Sequence, residues 1–379
     1  MAKGIEYVEI RSKNTRELVG IVDTASSIIW HRKYYEPGFF EVYAPCTSTN
    51  LSLLTAGNYV TRYDCVEVGI IESVEVLTNL IDGRMISARG RFAKSILDRR
   101  IIYRRSGYSV SPTILSGSVE TAARSLVSQN AIDCVFDAGR NIAELALAAH
   151  ANTAPLIVDE NGNRSRKQVT YENLLTYTDS LLKEYGLGAY CGLSADRMLA
   201  YTVFAGVDRS MGNSAGNSPV IFSQDFDNLL TSNYAVDVTM QKNTALIGGA
   251  GEGVARFCAI LKNTAVTGAE RREVFVDASS HSNVYTDDAG ATQTIDDTDY
   301  NTQLKTIGRQ KLAEYTIVET FNGTFDMTGC SFVYRTDFSL GDIVTVQDVG
   351  LGLYINPRIL EVLESQDMNG YTVSAVYGK

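Results

Sequence analysis

Alternating hydrophobic and polar positions dominate both ends of the chain and predict strands there. Ile5–Ile10, Leu18–Ile21 and Val66–Leu77 alternate or run apolar, and the last run is followed by Asp82-Gly83. Alternation with period two is typical of a strand with one buried face. An Asp-Gly pair between two such runs indicates a hairpin, because glycine accepts the positive φ of the turn. We therefore predict β structure over residues 1–90 and again after residue 315.

The apolar spacing changes to a helical period in several segments. Residues 91–103 predict a helix whose apolar face carries Phe92, Ile96, Leu97 and Ile101. Residues 117–150 predict two helical pieces, "ETAARSLVSQN", capped by Ser118 or Thr121, and "NIAELALAAH". "YENLLTYTDSLLKEYGLG" predicts an amphipathic helix with an apolar stripe of Leu174, Leu181 and Leu182, and Gly186 as its C-cap.

The middle of the chain is predicted to return to strands. A hairpin with its turn near Asn161-Gly162 precedes the amphipathic helix, and residues 190–278 contain several apolar, strand-like runs such as "RMLAYTVFAG" and "EVFVDA". A polar, acidic stretch over 279–299 then leads into a helix at about 300–315.

Two stretches near the ends of the chain resemble each other in four blocks. The first contains Gly38–Val42, Gly57–Thr61, Glu75–Leu77 and Ser87-Ala88, and the second contains Gly323–Met327, Gly341–Thr345, Glu361–Leu363 and Ser374-Ala375. Each G-[ND]-x-V-T block indicates a tight turn that feeds a strand. Four blocks in one order, over about fifty residues, predict two related β domains.

The predicted fold class is α+β and β-rich, with two related small β-barrel-like domains at the chain ends and an α/β region inserted between them. We expect an N-terminal β-barrel-like domain with a helix over 1–115 and a helical insertion with a hairpin over 116–190. A β-rich middle domain is expected over 191–298. A helix followed by the second β-barrel-like domain is expected over 299–379.

Composition limits the functions that the chain can have. Hydrophobic residues make up 45% and charged residues 21% of its 379 residues, as in soluble globular proteins. No apolar run approaches the roughly 18 residues that cross a bilayer, and the first residues lack the apolar core of a signal peptide. The net charge of −10 argues against wrapping nucleic acid. The segment Asp98–Arg105 is either a basic patch for an acidic partner or a solvated helix face.

Cysteine and histidine give no sign of a metal or redox site. The six cysteines are far apart and form no C-x-x-C pair, so we expect reduced, buried side chains. Only His31, His150 and His281 are present, which argues against a histidine-based zinc site.

Gly212–Gly216 fits the G-x-S-x-G pattern of a hydrolase nucleophile elbow, with Ser214 as the nucleophile. An elbow needs a buried strand before the serine and a helix after it. Here polar residues precede it and the strand-like "VIFS" follows, so we predict a polar loop between strands. His281 could be nominated as the base, but it lies in a polar stretch with no distinguishing neighbours.

Two further motifs fail at the positions that carry their chemistry. "TALIGGAGEGVARF" contains no G-x-G-x-x-G in any frame, so it predicts a glycine-rich hairpin rather than a dinucleotide site. "DDTDYN", counted from Asp297, has Thr302 and Gly308 where a calcium loop needs glycine and glutamate. We predict an acidic loop with an N-capping residue. No Walker loop or catalytic carboxylate pair is found, and we predict no catalytic, cofactor-binding or metal-binding residue.

The order of several motifs resembles a family of tailed-bacteriophage tail proteins, the baseplate or tail-tip hubs. The resemblance begins at Trp30 and Tyr34–Glu41 and spans nearly the whole chain. Its further segments are Gly90-Arg91, Leu97–Arg100, Val207–Ser210, Pro219–Ser223, Gly248–Gly253 with Arg256, Val276–Ala278, Asp337–Val344 and Arg358–Val362. Such hubs occur in siphophage tips, contractile tails and phage-tail-like bacteriocins.

The resemblance implies a structural protein at the end of a tail tube, assembled in the host cytoplasm. A homotrimer with two tube-like domains per chain would present six similar units to a six-fold tube and a three-fold face to a central spike. The implied partners are the tail tube or distal tail protein, the spike or tail-tip protein, and a tape-measure protein. DNA would only pass through the lumen, where acidic residues would repel phosphate. No membrane insertion is expected.

Two other functions compete with the hub. A receptor-binding or carbohydrate-binding tail component could use some of the 21 Tyr and 13 Phe as stacking platforms, although no tandem aromatic cluster is present. A hydrolase would depend on Ser214. Some related tail proteins carry a peptidase or lysozyme domain after the hub. Here the sequence ends at Lys379, directly after the second repeat, and we expect no lytic activity.

Overall fold

The computed structural model describes residues 4–79, 83–103, 113–135, 137–150, 154–159, 162–226, 228–262, 265–286, 291–325, 332–350 and 352–378. Its first strands are β1 (Val8–Arg11), β2 (Leu18–Val22), β3 (Ser27–Lys33), β4 (Phe39–Pro45), β5 (Tyr59–Thr61), β6 (Gly69–Ile70), β7 (Ser73–Asn79) and β8 (Gly83–Arg91), with helix α1 (Ser48–Leu53) before β5.

The elements that follow form the inserted part of the chain. They are β9 (Thr113–Leu115), α2 (Val119–Val127), β10 (Leu145–Leu147), β11 (Lys167–Val169), α3 (Leu174–Glu184), β12 (Gly188–Leu193) and β13 (Leu199–Phe204). Short segments of 3₁₀ or π helix occupy Ala93–Arg99, Ser128–Ile132, Ala138–Arg140, Gln224–Phe226, Gly253–Ala255 and Gly268–Glu270.

The last part of the chain is again mostly strand. Its elements are β14 (Ile221–Ser223), β15 (Leu229–Asp237), β16 (Thr244–Gly248), β17 (Cys258–Lys262), β18 (Glu273–Asp277), β19 (Val284–Thr286), β20 (Thr292–Thr294), α4 (Asp297–Ala313), β21 (Val318–Phe325), β22 (Thr345–Asp348), β23 (Leu353–Ile355), β24 (Arg358–Asp367) and β25 (Gly370–Gly378). The β-rich α+β class predicted from the sequence is confirmed.

One eight-stranded sheet joins the two ends of the chain. Its order is β15-β21-β25-β24-β3-β4-β8-β7, and each pair in it is antiparallel. Alternate residues face one side, as the period-two pattern predicts. On β4, for example, Phe40, Val42 and Ala44 are buried while Phe39 is exposed.

Each half of this sheet is covered on the same face by its own second layer. The first half, β3-β4-β8-β7, packs with the sheet β2-β1-β5-β6 around a core centred on Trp30, Phe40 and Val60. The second half, β15-β21-β25-β24, packs with β14-β22-β23 around Phe222 and Tyr377. We call these halves with their second layers the first and second units.

The two units have the same strand order. In the first unit the order is β3-β4-β8-β7, and in the second it is β15-β21-β25-β24. The hairpin β7–β8 therefore corresponds to β24–β25, and β4 corresponds to β21. The units follow each other head to tail, because the last strand of the second unit, β24, pairs with the first strand of the first unit, β3.

The G-[ND]-x-V-T turns have the same backbone geometry in both units. Gly57 and Gly341 have φ of 90° and 92°. Gly57 N donates to Ile71 O at 2.8 Å, and Gly341 N donates to Ile359 O at 2.9 Å. Each isoleucine N donates back to the residue after its glycine, at 2.9 and 2.8 Å. The repeat read from the sequence is therefore a repeat in three dimensions.

Two blocks of the repeat are aligned wrongly by the sequence. Since Val42 pairs with Ala88 and Gly323 pairs with Ala375, Gly323 corresponds to Val42 rather than to Gly38. By the same criterion Val362 corresponds to Val74, which also pairs with Ala88. The first block is shifted by four residues and the second by two. Both shifts are even, because the hydrophobic alternation fixes which face of a strand a residue is on better than it fixes the register.

The first insertion has its own core, into which the predicted amphipathic helix packs. Helix α3 buries its leucine stripe, and Gly186 has a φ of 67° after its end, as predicted. Ser118 caps α2 by accepting from Thr121 N. The helix predicted over 91–103 is only the 3₁₀ segment Ala93–Arg99, and Ile101 lies beyond it, exposed.

The helix predicted over "NIAELALAAH" is wrong. Leu145–Leu147 form β10, which pairs in parallel with Leu199–Tyr201 of β13. The free edge of β13 offers these residues backbone partners and a place in the core, which outweighs the helix propensity of their alanines. For the hairpin predicted over 154–172, an isolated bridge joins Val158 to Arg164, while Asn161 lies outside the described residues.

Helix α4 covers one face of a small sheet, β17-β16-β18. Tyr300 and Leu304 pack against Ala245 and Ile247 of β16. The helix begins at Asp297, three residues before the predicted start, because Asp296 accepts from Thr298 N and Asp299 N as the N-cap. The predicted polar loop before it also contains the short β19–β20 pair.

The two equivalent glycines give a matched test of the repeat. We expect Gly57→Ala to cost about 1–2 kcal/mol, from the positive φ alone. A Cβ at Gly341 would also overlap the buried ring of Tyr34, whereas the nearest atom at Gly57 is Lys13 Cδ at 3.1 Å. We expect Gly341→Ala to cost about 1–3 kcal/mol more. Urea denaturation of both variants checks this, and equal losses would contradict the close packing of Tyr34 on Gly341.

Candidate assembly surface

The segment around Ser214 forms a polar loop, as the sequence predicts. Asn213 Nδ2 donates to Ser210 O and Asn217 O, both at 2.9 Å, and Gly212 and Gly216 have positive φ in open space. The loop leads into β14, not into a helix. Ser214 is exposed on this loop, so the geometry of a nucleophile elbow does not form.

His281 is buried rather than set in a featureless polar loop. Its ring stacks on Tyr300, and Nε2 lies 3.2 Å from Gln303 Oε1. Burial lowers the pKa of His281 to about 4, so the ring is neutral at physiological pH. It belongs to the core beneath α4, whereas the Ser214 loop bonds to β22 through Met211 N and Thr345 Oγ1. Ser214 and His281 therefore belong to different parts of the fold.

The remaining motifs have structural roles in the residues that the structure describes. "TALIGGAGEGVARF" is the β16–β17 hairpin, as predicted, with Gly251 at a φ of 94°. In the basic segment, Arg100 Nε donates to Arg140 O, and Arg104 and Arg105 lie outside the described residues. Within the described ranges, no group of three or more His, Cys, Asp or Glu could hold a metal ion. None of the helices described is long and apolar enough to cross a membrane.

Strands β24 and β3 form the seam between the two units. Val362 lies opposite Arg32, Leu363 opposite His31, and Glu364 opposite Trp30. Arg32 and Glu364 face the covered side of the sheet and are buried there. A buried charge needs partners in place, so this seam depends on a polar network.

The first half of the network surrounds Arg32. Its Nε donates to Glu67 Oε1 at 2.7 Å, and Nη1 donates to Tyr334 Oη at 2.6 Å, which links the first unit to the second. Burial opposes ionisation of Glu67, but the Arg32 guanidinium outweighs it and lowers the pKa of Glu67. Burial raises the pKa of the neighbouring Cys65 thiol to about 12, so the thiol stays protonated.

The second half surrounds Glu364, whose side chain is fully buried. Its carboxylate accepts from Arg62 Nη2 at 3.1 Å, Arg335 Nη2 at 2.5 Å and Tyr371 Oη at 2.7 Å. Asp64 forms ion pairs with both arginines, Arg62 and Arg335. Residues from both ends of the chain thus neutralise each other at this seam.

The two outer edges of the eight-stranded sheet are β7 and β15. In the part of the chain that the structure describes, no strand pairs with either outer edge. Both edges carry apolar side chains that face water: Val76 is 38% exposed and Val236 is 52% exposed. Soluble proteins usually protect such edges with charges or short strands, because an open edge is a template for another chain.

The uncovered face of the sheet carries several charged side chains that form ion pairs. Glu361 Oε2 lies 2.7 Å from His31 Nε2, and Lys33 Nζ lies 3.3 Å from Glu361 Oε1. Arg89 Nε lies 3.0 Å from Glu41 Oε1. Two of the acids on this face, Glu361 and Glu41, therefore have basic partners.

The sequence matches a known family over almost its whole length. The matched family is described as "Siphovirus ReqiPepy6 Gp37-like protein", and the match covers residues 7–379. The chain belongs to this family. No curated protein matches the chain.

Solved structures support the same relationship at the level of the fold. A tail protein from Neisseria meningitidis MC58 superposes with a TM-score of 0.53 at 14% identity, covering 98% of this chain and 96% of that one. The 43 kDa tail protein of prophage MuSo2 from Shewanella oneidensis gives 0.53 at 13%, covering 98% of both chains. Prophage tail protein gp18 from Listeria monocytogenes EGD-e gives 0.50 at 12%, covering 98% and 94%. The Gp37-like chain therefore has a phage tail protein fold, and the resemblance seen in the sequence is confirmed.

Proposed function

We propose that this phage tail protein is a structural hub that forms a homotrimeric ring at the end of the tail tube. The observation that carries the proposal is the head-to-tail order of the two units in one sheet. Since β24 of the second unit pairs with β3 of the first, the equivalent open strands, β7 and β15, are complementary. A head-to-tail contact generates a ring when its rotation closes.

Three chains would supply six similar units, which suits a six-fold tube on one side and a three-fold spike on the other. The proposed partners are the tail tube or distal tail protein, the central spike or tail-tip protein, and a tape-measure protein. We place the protein in the virion tail and assign it no catalytic activity.

The domain division that suits this role differs from the one expected from the sequence. We assign residues 4–92 to the first unit, and 206–237 together with 318–378 to the second. Residues 93–204 and 240–315 are then two insertions. Helix α4 moves from the C-terminal domain to the second insertion, because it packs on β16 and β17.

The uncovered face of the sheet would line the channel of the ring. Three chains contribute twenty-four strands, eight each. At about 4.8 Å per strand and a tilt of about 40°, opposite backbones would lie about 45–50 Å apart. The second layers and the insertions would then lie on the outside of the ring, where the circumference is larger. The acids on this face, among them Glu75 and Asp237, would repel phosphate and let DNA pass without binding it.

Light scattering of the purified chain, with negative-stain images of the same sample, tests the proposal. We expect a mass of about three times 41.4 kDa and a ring with a central hole. A monomer that binds glycans but does not assemble would instead favour the receptor-binding alternative. A Ser214→Ala variant should assemble as the parent does.

A further inference from the structure

The seam between chains can be derived residue by residue from the seam within the chain. Trp30 of β3 lies opposite Phe40, and Tyr234 of β15 lies opposite Phe321. Phe40 and Phe321 stand two residues before the equivalent positions Val42 and Gly323. Tyr234 therefore corresponds to Trp30, and Val236 corresponds to Arg32.

The other strand of the seam follows in the same way. Val74 and Val362 both lie opposite the equivalent alanines of the closing strands, so Val76 corresponds to Glu364. Transferring the β24–β3 register to β7 of one chain and β15 of the next gives three opposed pairs. They are Val74 with Val236, Glu75 with Ala235, and Val76 with Tyr234.

We infer that β7 pairs antiparallel with β15 of a second copy of this chain in that register, through an apolar seam that replaces the charged seam inside the chain. The inference rests on the proposed ring and adds to it the residues in contact. Where the internal seam has Arg32 and Glu364, the seam between chains has Val236 and Val76.

The exposed residues of the two edges support pairing with a second copy of this chain. Val74, Val76, Tyr234 and Val236 share the covered face of their strands, so pairing would extend the cores of both units across the seam. Tyr234 already packs against the second-unit core. Two valines opposite each other would each lose exposed apolar surface, which favours association.

The difference between the seams also prevents the wrong pairing. If β7 replaced β24 beside β3, Val76 would stand in the place of Glu364, so Arg62 would lose that carboxylate and Arg32 would lose Tyr334. Removing one partner from a buried charged network is costly. The apolar strand β7 therefore does not substitute for β24 at the charged seam within the chain.

Cysteine cross-linking in the full chain tests the register. In a Cys258→Ser background, which removes an exposed thiol, we would compare three double variants on the uncovered face. Glu75→Cys with Ala235→Cys places the cysteines opposite each other. Glu75→Cys with Asn233→Cys, or with Asp237→Cys, shifts one of them by two residues on the same face. Each single cysteine serves as a further control.

After mild oxidation, Glu75→Cys with Ala235→Cys should give a covalent trimer on a non-reducing gel. The shifted pairs should give about tenfold less, because diagonal neighbours lie beyond disulfide geometry. If light scattering shows a trimer but a shifted pair cross-links as well as or better than the opposed pair, the seam is overturned and the proposed ring is left intact. The same holds if the protein is a trimer and none of the three double variants cross-links. A monomer that does not cross-link would overturn both.

Discussion

Glu364→Ala is expected to lower the free energy of unfolding by about 3–5 kcal/mol, the usual cost of removing one partner from a buried ion pair. The substitution removes one of the two carboxylates that Arg62 and Arg335 share, in a site where Glu364 is fully buried, and leaves Asp64 alone to pair with both guanidinium groups. Tyr371 Oη also loses its acceptor. The loss should appear as an earlier transition in urea denaturation.

Glu361→Ala is the matched control, three residues away on the same strand. Glu361 forms ion pairs with His31 and Lys33 on the uncovered face, where water screens them. We expect a cost of about 1 kcal/mol or less. Equal losses in the two variants would contradict the network at the seam, and Glu364→Gln should be intermediate because it keeps one acceptor oxygen but loses the charge and the second acceptor.

The order of the elements could be predicted from the sequence better than their pairing. The turns at Gly57 and Gly341 were visible because a glycine with positive φ leaves a local signal. The register of the repeat was not visible, since alternation is unchanged by a shift of two or four residues. β10 was missed because its partner, β13, lies about fifty residues further along the chain.

The polar seam left no signal in the sequence that could have identified it. Arg32, Glu67, Tyr334 and Glu364 lie in separate segments, and each is ordinary where it stands. Only the pairing of β24 with β3 brings them together. The open edges could not be predicted from the sequence either, because an edge is defined by the order of the strands in the sheet. In this sheet, strands from the two ends of the chain are neighbours.

Val236→Lys is expected to prevent assembly of the ring at concentrations where the parent chain is trimeric. In the proposed seam, Val236 lies opposite Val74, and a lysine there would have to leave water without a counter-ion. A cost of about 2 kcal/mol at each seam would weaken each contact about 30-fold, and a closed trimer contains three such contacts. Mass by light scattering over a dilution series measures the effect.

A second substitution should restore assembly if the two positions are in contact. Val74→Glu combined with Val236→Lys puts opposite charges on facing residues of neighbouring chains, and cross-strand pairs of this kind are favourable. Val19→Lys, on β2, is the control, because Val19 is 50% exposed and Val236 is 52% exposed. Assembly of Val236→Lys at parent concentrations would contradict the seam. Rescue by Val74→Glu alone among nearby β7 positions would fix its register, since a charge at Val76 or Ser73 could not reach the lysine as directly.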